Sequence, residues 1–174
     1  VRIMAYDQER IDLNLNDASP DPYVPVADIR WVEKVMKLAL KDIDKKKLVL
    51  GIPTYGCAWD MYPTGDSGAS VPANHMEDQV AAAAAGTLSS TSTPNMSYSK
   101  LWAFNPRYAT ETIAPKLGLT PQRNASGELY ITYPASKEPD PTSAVPLPNA
   151  TRVMTWSDAQ AISAKVALAK RLGI

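Results

Sequence analysis

Two short apolar runs in this chain stop at residues that could do chemistry. Val1-Arg2-Ile3-Met4-Ala5 runs into Tyr6-Asp7. Leu48-Val49-Leu50-Gly51-Ile52 leaves through Pro53 into Thr54-Tyr55-Gly56, with Trp59 just beyond. A tyrosine offers a flat apolar face and a hydroxyl that both donates and accepts, and a carboxylate accepts from hydroxyl groups. Two tyrosines, a tryptophan and an aspartate on one rim suit a sugar ring, which has apolar CH faces and a girdle of hydroxyls. The same residue types at strand ends also serve as core caps and turn residues, and spacing alone leaves both readings open.

For those side chains to share a rim, the two runs must be neighbouring parallel strands. Val1–Tyr6 alternates, with Val1, Ile3 and Ala5 on one face and Met4 and Tyr6 on the other. Residues 8–25 are polar and carry Pro20, Pro22 and Pro25, so they read as a loop. From the N-cap candidate Asp28 to about Asp44, Ile29, Val32, Met36, Ala39, Leu40 and Ile43 recur at helical spacing. Lys45–Lys47 follows, where a helix C-terminus favours cations. Leu48–Ile52 is apolar on both faces, as a strand covered on both sides must be. A strand–helix–strand unit over residues 1–53 gives a parallel pair. In parallel barrels the reactive end is where the strands finish.

From residue 57 to about 150 the composition shifts to Pro, Ser, Thr and Asn. Asn74–Glu77 reads as a capping box before a helix over 78–85, and 88–99 reads as a mobile stretch. Thr110–Leu117 predicts a short helix despite Pro115. Glu128–Tyr133 and Arg152–Trp156 alternate like strands and should pair antiparallel in a small α+β element. Ser157 with Gln160 forms a second capping box. Ile162, Val166, Ala169 and Leu172 then line one face of a helix, and Gly173 stops it.

Composition narrows the function classes. Lys plus Arg equals Asp plus Glu at 18 each, so no basic face is offered to a nucleic acid and nothing to anionic lipid. Apolar residues at 45% and charged residues at 21% permit a buried core. The one cysteine, Cys57, cannot form an intrachain disulfide and reads as a buried thiol. With His75 the one histidine, no zinc site is expected, and neither metal nor cofactor is called for. The longest apolar run, Val80–Ala85, falls far short of the roughly 20 residues that span a bilayer. Asn95, Asn124 and Asn149 each open an N-x-S/T sequon, for which chance in a Ser/Thr-rich stretch is the simpler source.

Met4-Ala5-Tyr6-Asp7, then a helix opening on Trp31-Val32-Glu33, then Lys47-Leu48-Val49-Leu50-Gly51-Ile52-Pro53-Thr54-Tyr55-Gly56 resembles glycoside hydrolase family 18. That is the family of chitinases and of spore-cortex and peptidoglycan glucosaminidases. Its sixth and seventh strands read M-x-Y-D and G-x-P-x-Y-G. Tyr130–Tyr133, Val153–Asp158, Ser163 and Lys165 resemble the end of its insertion and the following helix, and Asp7-Gln8 resembles the peptidoglycan-type subgroup. The resemblance implies an α/β fold, a partial (β/α)₈ TIM barrel with an α+β insertion. Residues 1–56 would be a barrel unit, 57–156 the insertion and 157–174 a barrel helix.

It also implies roles. Tyr6 would bond the substrate's acetamido carbonyl and Asp7 would meet sugar hydroxyls. Met4 would line the pocket under the acetamido methyl, and Tyr55 and Trp59 would form the cleft wall. The implied reaction is retaining hydrolysis of β-1,4 bonds in N-acetylglucosamine-containing polysaccharide, with the substrate's own acetamido oxygen as nucleophile. The implied setting is secreted or cell-wall associated.

The family's acid is the last residue of D-x-x-D-x-D-x-E on the fourth strand, and that motif does not occur here. Glu9, Glu33, Glu77, Glu111, Glu128 and Glu138 all lack the preceding aspartates. The barrel-like segments amount to about two of eight strand–helix steps. The expectation is therefore a C-terminal part of a catalytic domain, inactive and marginally stable alone, whose remaining barrel lies in other sequence. The alternative is a non-catalytic chitinase-like carbohydrate-binding protein. Trp156, ahead of the last helix, is expected to pack the insertion against the barrel.

Overall fold

The computed structural model describes residues 1–8, 24–63, 96–137 and 150–174. Strand β1 (Arg2–Met4) pairs in parallel with β2 (Val49–Gly51), Arg2 opposite Val49 and Met4 opposite Gly51. Between them runs helix α1 (Ile29–Ala39), as the apolar spacing requires. Asp28 caps it, its side chain accepting from Arg30 N at 2.8 Å. Val32 and Met36 are fully buried against Ala5, Ala27 and Leu48.

The helix is shorter than its periodicity suggests. The Asp44 carboxylate accepts from Lys46 N at 2.9 Å and starts a separate 3₁₀ turn, Lys45–Lys47. The lysine cluster therefore belongs to that turn rather than to the end of α1. A short acidic side chain that bonds nearby amides competes with helix continuation in this way.

The rest is built on a five-stranded antiparallel sheet. Its strands are β3 (Gly56–Pro63), β4 (Met96–Phe104), β5 (Gln122–Arg123), β6 (Leu129–Pro134) and β7 (Thr151–Trp156), in the order β4-β3-β7-β6-β5. The β6–β7 pair is the one that alternation predicts, Leu129 opposite Trp156. The β3–β4 pair is not evident from sequence, and residues 96–99, read as mobile, lie in β4. The pairing of β3 with β4 shifts register between Ala58 and Trp59. By ordinary strand alternation Ala58 faces one core and Cys57 and Trp59 another, so this strand is buried on both faces.

A helical segment packs on the sheet: a π-helical stretch Tyr108–Ile113 leading into α2 (Ala114–Leu117). Pro115 is tolerated because it falls in the first turn of α2. Ile113 and Ala114 meet Met154, Ile131 and Trp156. Trp156 thus packs the sheet onto its own helix, edge-on to Phe104 at 6.2 Å, instead of tying the insertion to the barrel-like unit. Gly56 lies under both: a Cβ there would be 2.4 Å from Phe104 Cζ and 2.7 Å from Trp156 Cβ. A buried Asp60–Arg152 pair joins β3 to β7 through two hydrogen bonds of 2.8 and 3.0 Å, and Arg152 lies over the Trp102 ring.

Helix α3 (Ala159–Leu172) closes the described chain, stopped as expected by Gly173 at φ 75°. Its N-cap is Asp158, which accepts from Ala161 N at 3.0 Å; the Ser157 hydroxyl turns instead to Glu128. The buried face is Ala161, Lys165 and Leu168, one step round from the apolar stripe read in the sequence, and Val166 is exposed. That rotation follows from Lys165, whose charge is neutralised inside. The expected helix over 78–85, its capping box, His75, Asn95 and Asn149 lie outside the described residues. Asn124 Nδ2 is buried and its Oδ1 is engaged within its own turn, so this sequon offers no glycan acceptor in the fold.

Candidate functional site

β1 and β2 finish side by side, and the chain beyond each delivers a tyrosine to one place. The Tyr6 and Tyr55 rings meet edge to face, 6.2 Å between centroids at 89°, an arrangement set by their opposed edge and face charges. The space for Tyr6 is made by Gly51, where a Cβ would lie 3.1 Å from Tyr6 Cε1. The Tyr55 hydroxyl donates to Asp7 Oδ1. Burial, and then the hydrogen bond to Asp7, pushes the Tyr55 phenol far above the usual tyrosine range. It is a neutral donor at any physiological pH. Asp7 itself is exposed.

Asp7 reaches Tyr55 from an unusual backbone, with φ at 54°, in the left-handed region that non-glycine residues rarely enter. The next residue anchors it. Gln8 N donates to Val26 O at 3.1 Å, and Gln8 Oε1 accepts from Asp28 N at 2.9 Å. Met4, two residues before Tyr6, is 69% exposed opposite Gly51.

Tyr6, Asp7 and Tyr55 therefore form one cluster, with Met4 on the strand beside it. Trp59 does not join them. It is only 4% exposed and packs with Cys57, Val24 and Val26 behind Tyr55. Its ring supports the rim from inside and presents no open face to a ligand. The reason is β3, which starts at once at Gly56 and turns Trp59 toward the segment before α1.

A second polar cluster was not singled out by sequence. Glu128 and Lys165 are both fully enclosed, with Ser157 between them. The available signal was Lys165 itself, four residues after Ala161 and so on the same helix face. Among the described residues no group of three or more His, Cys, Asp or Glu could hold a metal ion. No described helix is long and apolar enough to cross a membrane.

No protein-family model matches the chain, and no curated protein matches it. Solved structures do. The chain is similar to the spore cortex-lytic enzyme SleL of Bacillus megaterium QM B1551 (TM-score 0.56, 19% identity, 100% of this chain and 28% of that one). It is similar to SleL of Bacillus cereus (TM-score 0.58, 17% identity, 100% and 29%). It is also similar to the C-terminal domain of a candidate chitinase from Desulfitobacterium hafniense DCB-2 (TM-score 0.57, 18% identity, 99% and 38%). The chain shares the fold of these segments and spans well under half the length of each of these proteins.

Proposed function

We propose that this chain is part of a family 18-type glycoside hydrolase acting on N-acetylglucosamine-containing polysaccharide. On this reading residues 1–56 supply two strands and a helix of a (β/α)₈ barrel, 57–156 the α+β insertion and 157–174 the next helix. The observation that carries it is the Tyr6–Asp7–Tyr55 cluster at the shared end of two parallel strands. The names of the similar structures, spore cortex-lytic enzymes and a candidate chitinase, support a glycan of the cell wall or chitin as the substrate class and a site of action outside the cytoplasm.

The roles follow from the chemistry of the side chains. Tyr6 donates to the acetamido carbonyl and turns its oxygen toward the anomeric carbon, where it displaces the leaving group from the opposite face. Asp7, positioned by the Tyr55 hydroxyl that donates to it, accepts from a ring hydroxyl. Met4 lines the space for the acetamido methyl. Holding the internal nucleophile in an attacking geometry is the main contribution of these residues. The proton for the leaving oxygen comes from an acid outside this chain.

The test is glycan binding and cleavage by the intact protein carrying this chain. Chitin oligosaccharides and peptidoglycan glycan strands would be titrated against it and against Asp7→Asn and Tyr55→Phe. Each substitution should weaken binding by roughly tenfold or more, the worth of one charge-assisted hydrogen bond. Unchanged affinity in both variants, or no binding of either glycan, overturns the reading. Binding without cleavage would instead favour the lectin-like alternative.

A further inference from the structure

Behind the rim lies a buried ionic cluster that the chemistry above does not use. Glu128 closes the tight turn leading into β6, and its carboxylate meets donors from three other parts of the chain. Oε2 accepts from Val26 N at 2.8 Å, and Oε1 accepts from Ala27 N at 3.1 Å and from the Ser157 hydroxyl at 3.0 Å. Lys165 Nζ lies 3.4 Å from Oε1 and 3.3 Å from Ser157 Oγ. A buried carboxylate is tolerated only when its lone pairs are met in this way.

The turn itself is fastened on both sides. Asn124 Oδ1 accepts from Ser126 N and Glu128 N, and Ser126 O accepts from Ile29 N at the start of α1. Arg123 reaches Gly127 O at 2.7 Å and pairs with Asp158 at the start of α3. Glu128 is therefore a fixed point, and the segment 26–28 hangs from it.

That segment leads straight to the rim. Val26, whose amide Glu128 holds, accepts from Gln8 N through its carbonyl. Asp28, one residue past Ala27, donates its amide to Gln8 Oε1. Gln8 is thus gripped by backbone and side chain, and it directly follows Asp7. A left-handed φ is disfavoured for a residue with a Cβ, even for aspartate, which enters it more readily than most, so neighbours that grip Gln8 help hold Asp7 at 54°.

We propose that Glu128, supported by Lys165 and Ser157, is a positioning residue for the rim. It holds segment 26–28 and, through Gln8, sets Asp7 where the Tyr55 hydroxyl meets it. The insertion thereby controls the geometry of a rim carried by the strand–helix–strand unit. The consequence for glycan binding rests on the function proposed above; the geometric linkage does not.

The test compares the full chain with Glu128→Ala/Lys165→Met and Glu128→Gln/Lys165→Met, so that no variant leaves a lone buried lysine. Two readouts are taken: the ¹³Cζ shift of Tyr55, assigned with Tyr55→Phe, and hydrogen exchange at the Gln8 amide. The alanine pair should move the Tyr55 signal toward that of a solvated tyrosine. It should also speed Gln8 exchange by roughly tenfold while amides within α3 keep their rates. The glutamine pair, which keeps an acceptor oxygen, should recover most of both. A folded alanine pair with native Tyr55 shift and native Gln8 exchange overturns the proposal, as does a glutamine pair that loses both signals completely.

If the alanine pair does not fold, native-state exchange in the unaltered chain decides. Gln8, Val26 and Ala27 amides should open together, and independent opening of Gln8 overturns the linkage. Glycan titration separates the two proposals. Linked amides with no glycan binding would sink the function and leave the linkage standing. Glycan binding lost in Asp7→Asn but unaffected by a decoupled Glu128 would do the reverse.

Discussion

The Tyr55 phenol keeps its proton for two reasons, burial first and then its bond to Asp7, and both raise its pKa. The sign of the resulting pH dependence is fixed. Below the ordinary tyrosine pKa of about 10 both folded and unfolded chains carry the proton, and the stabilisation is complete. Above it the unfolded chain releases a proton that the folded chain retains, so stability falls as pH rises. Urea unfolding between about pH 9 and 11 should show a steeper loss in the native chain than in Tyr55→Phe, which has no phenol to ionise. Parallel slopes would mean that Tyr55 is not sequestered. At this scale the sequence was legible where a residue's role follows from a strand end: Tyr6, Asp7 and Tyr55 meet because β1 and β2 finish together. It was not legible for Trp59, whose surroundings are Val24 and Val26 from a distant stretch. Nor was it for Glu128, whose partners are backbone amides 102 and 101 positions away. Amides carry no mark of residue type, so no spacing rule finds them.

Among the elements, α3 shows how a cap can be read one residue early. Ser157 is a good N-cap residue, but Glu128 claims its hydroxyl, and Asp158 caps the helix while pairing with Arg123 at 2.7 Å. The Arg123 guanidinium, ahead of the Ala161 amide, holds the Asp158 carboxyl below its usual range. A lowered folded pKa contributes stability that is present above the unfolded value, about 4, and is lost as pH falls below it. Asparagine caps as well as aspartate but cannot neutralise Arg123. Asp158→Asn should therefore cost about 1 kcal/mol at neutral pH, discounted for partial exposure. The difference from the native chain should shrink as pH drops through about 4 toward 2. Urea midpoints at a series of pH values measure it, and a constant difference would remove the ion pair from the account. The strands divide in the same way. β6 alternates and was readable, whereas β3 is buried on both faces from Gly56 to Met61 and so shows no polar–apolar alternation.

Among the described residues the two larger of three apolar cores stand apart and unequal. The five-stranded sheet closes over Met154, Trp156 and Ile113 with its own helical segment. The other core, around Val32, Met36 and Leu168, rests on a sheet described as two strands, with Val1 64% and Val49 54% exposed. A two-stranded pair is marginal by itself, and on the barrel reading further strands cover these faces. The two cores are joined by the buried Glu128–Lys165 contact with the turn around it, and by the small Val24–Val26–Cys57–Trp59 cluster. Taken alone, this 174-residue chain should lose the α1 core at lower urea than the sheet. Trp31 packs on the first core while Trp156 lies inside the second. A variant keeping Trp31 as its sole tryptophan should thus give a lower fluorescence midpoint than Trp31→Phe. Replacing the link with Glu128→Ala/Lys165→Met should widen the gap by lowering the Trp31 midpoint and leaving the sheet's almost unmoved. Coincident midpoints in both variants, with a denaturant slope proper to the full chain, would show that the strand–helix unit and the sheet fold as one body and need no neighbouring strands to stay together.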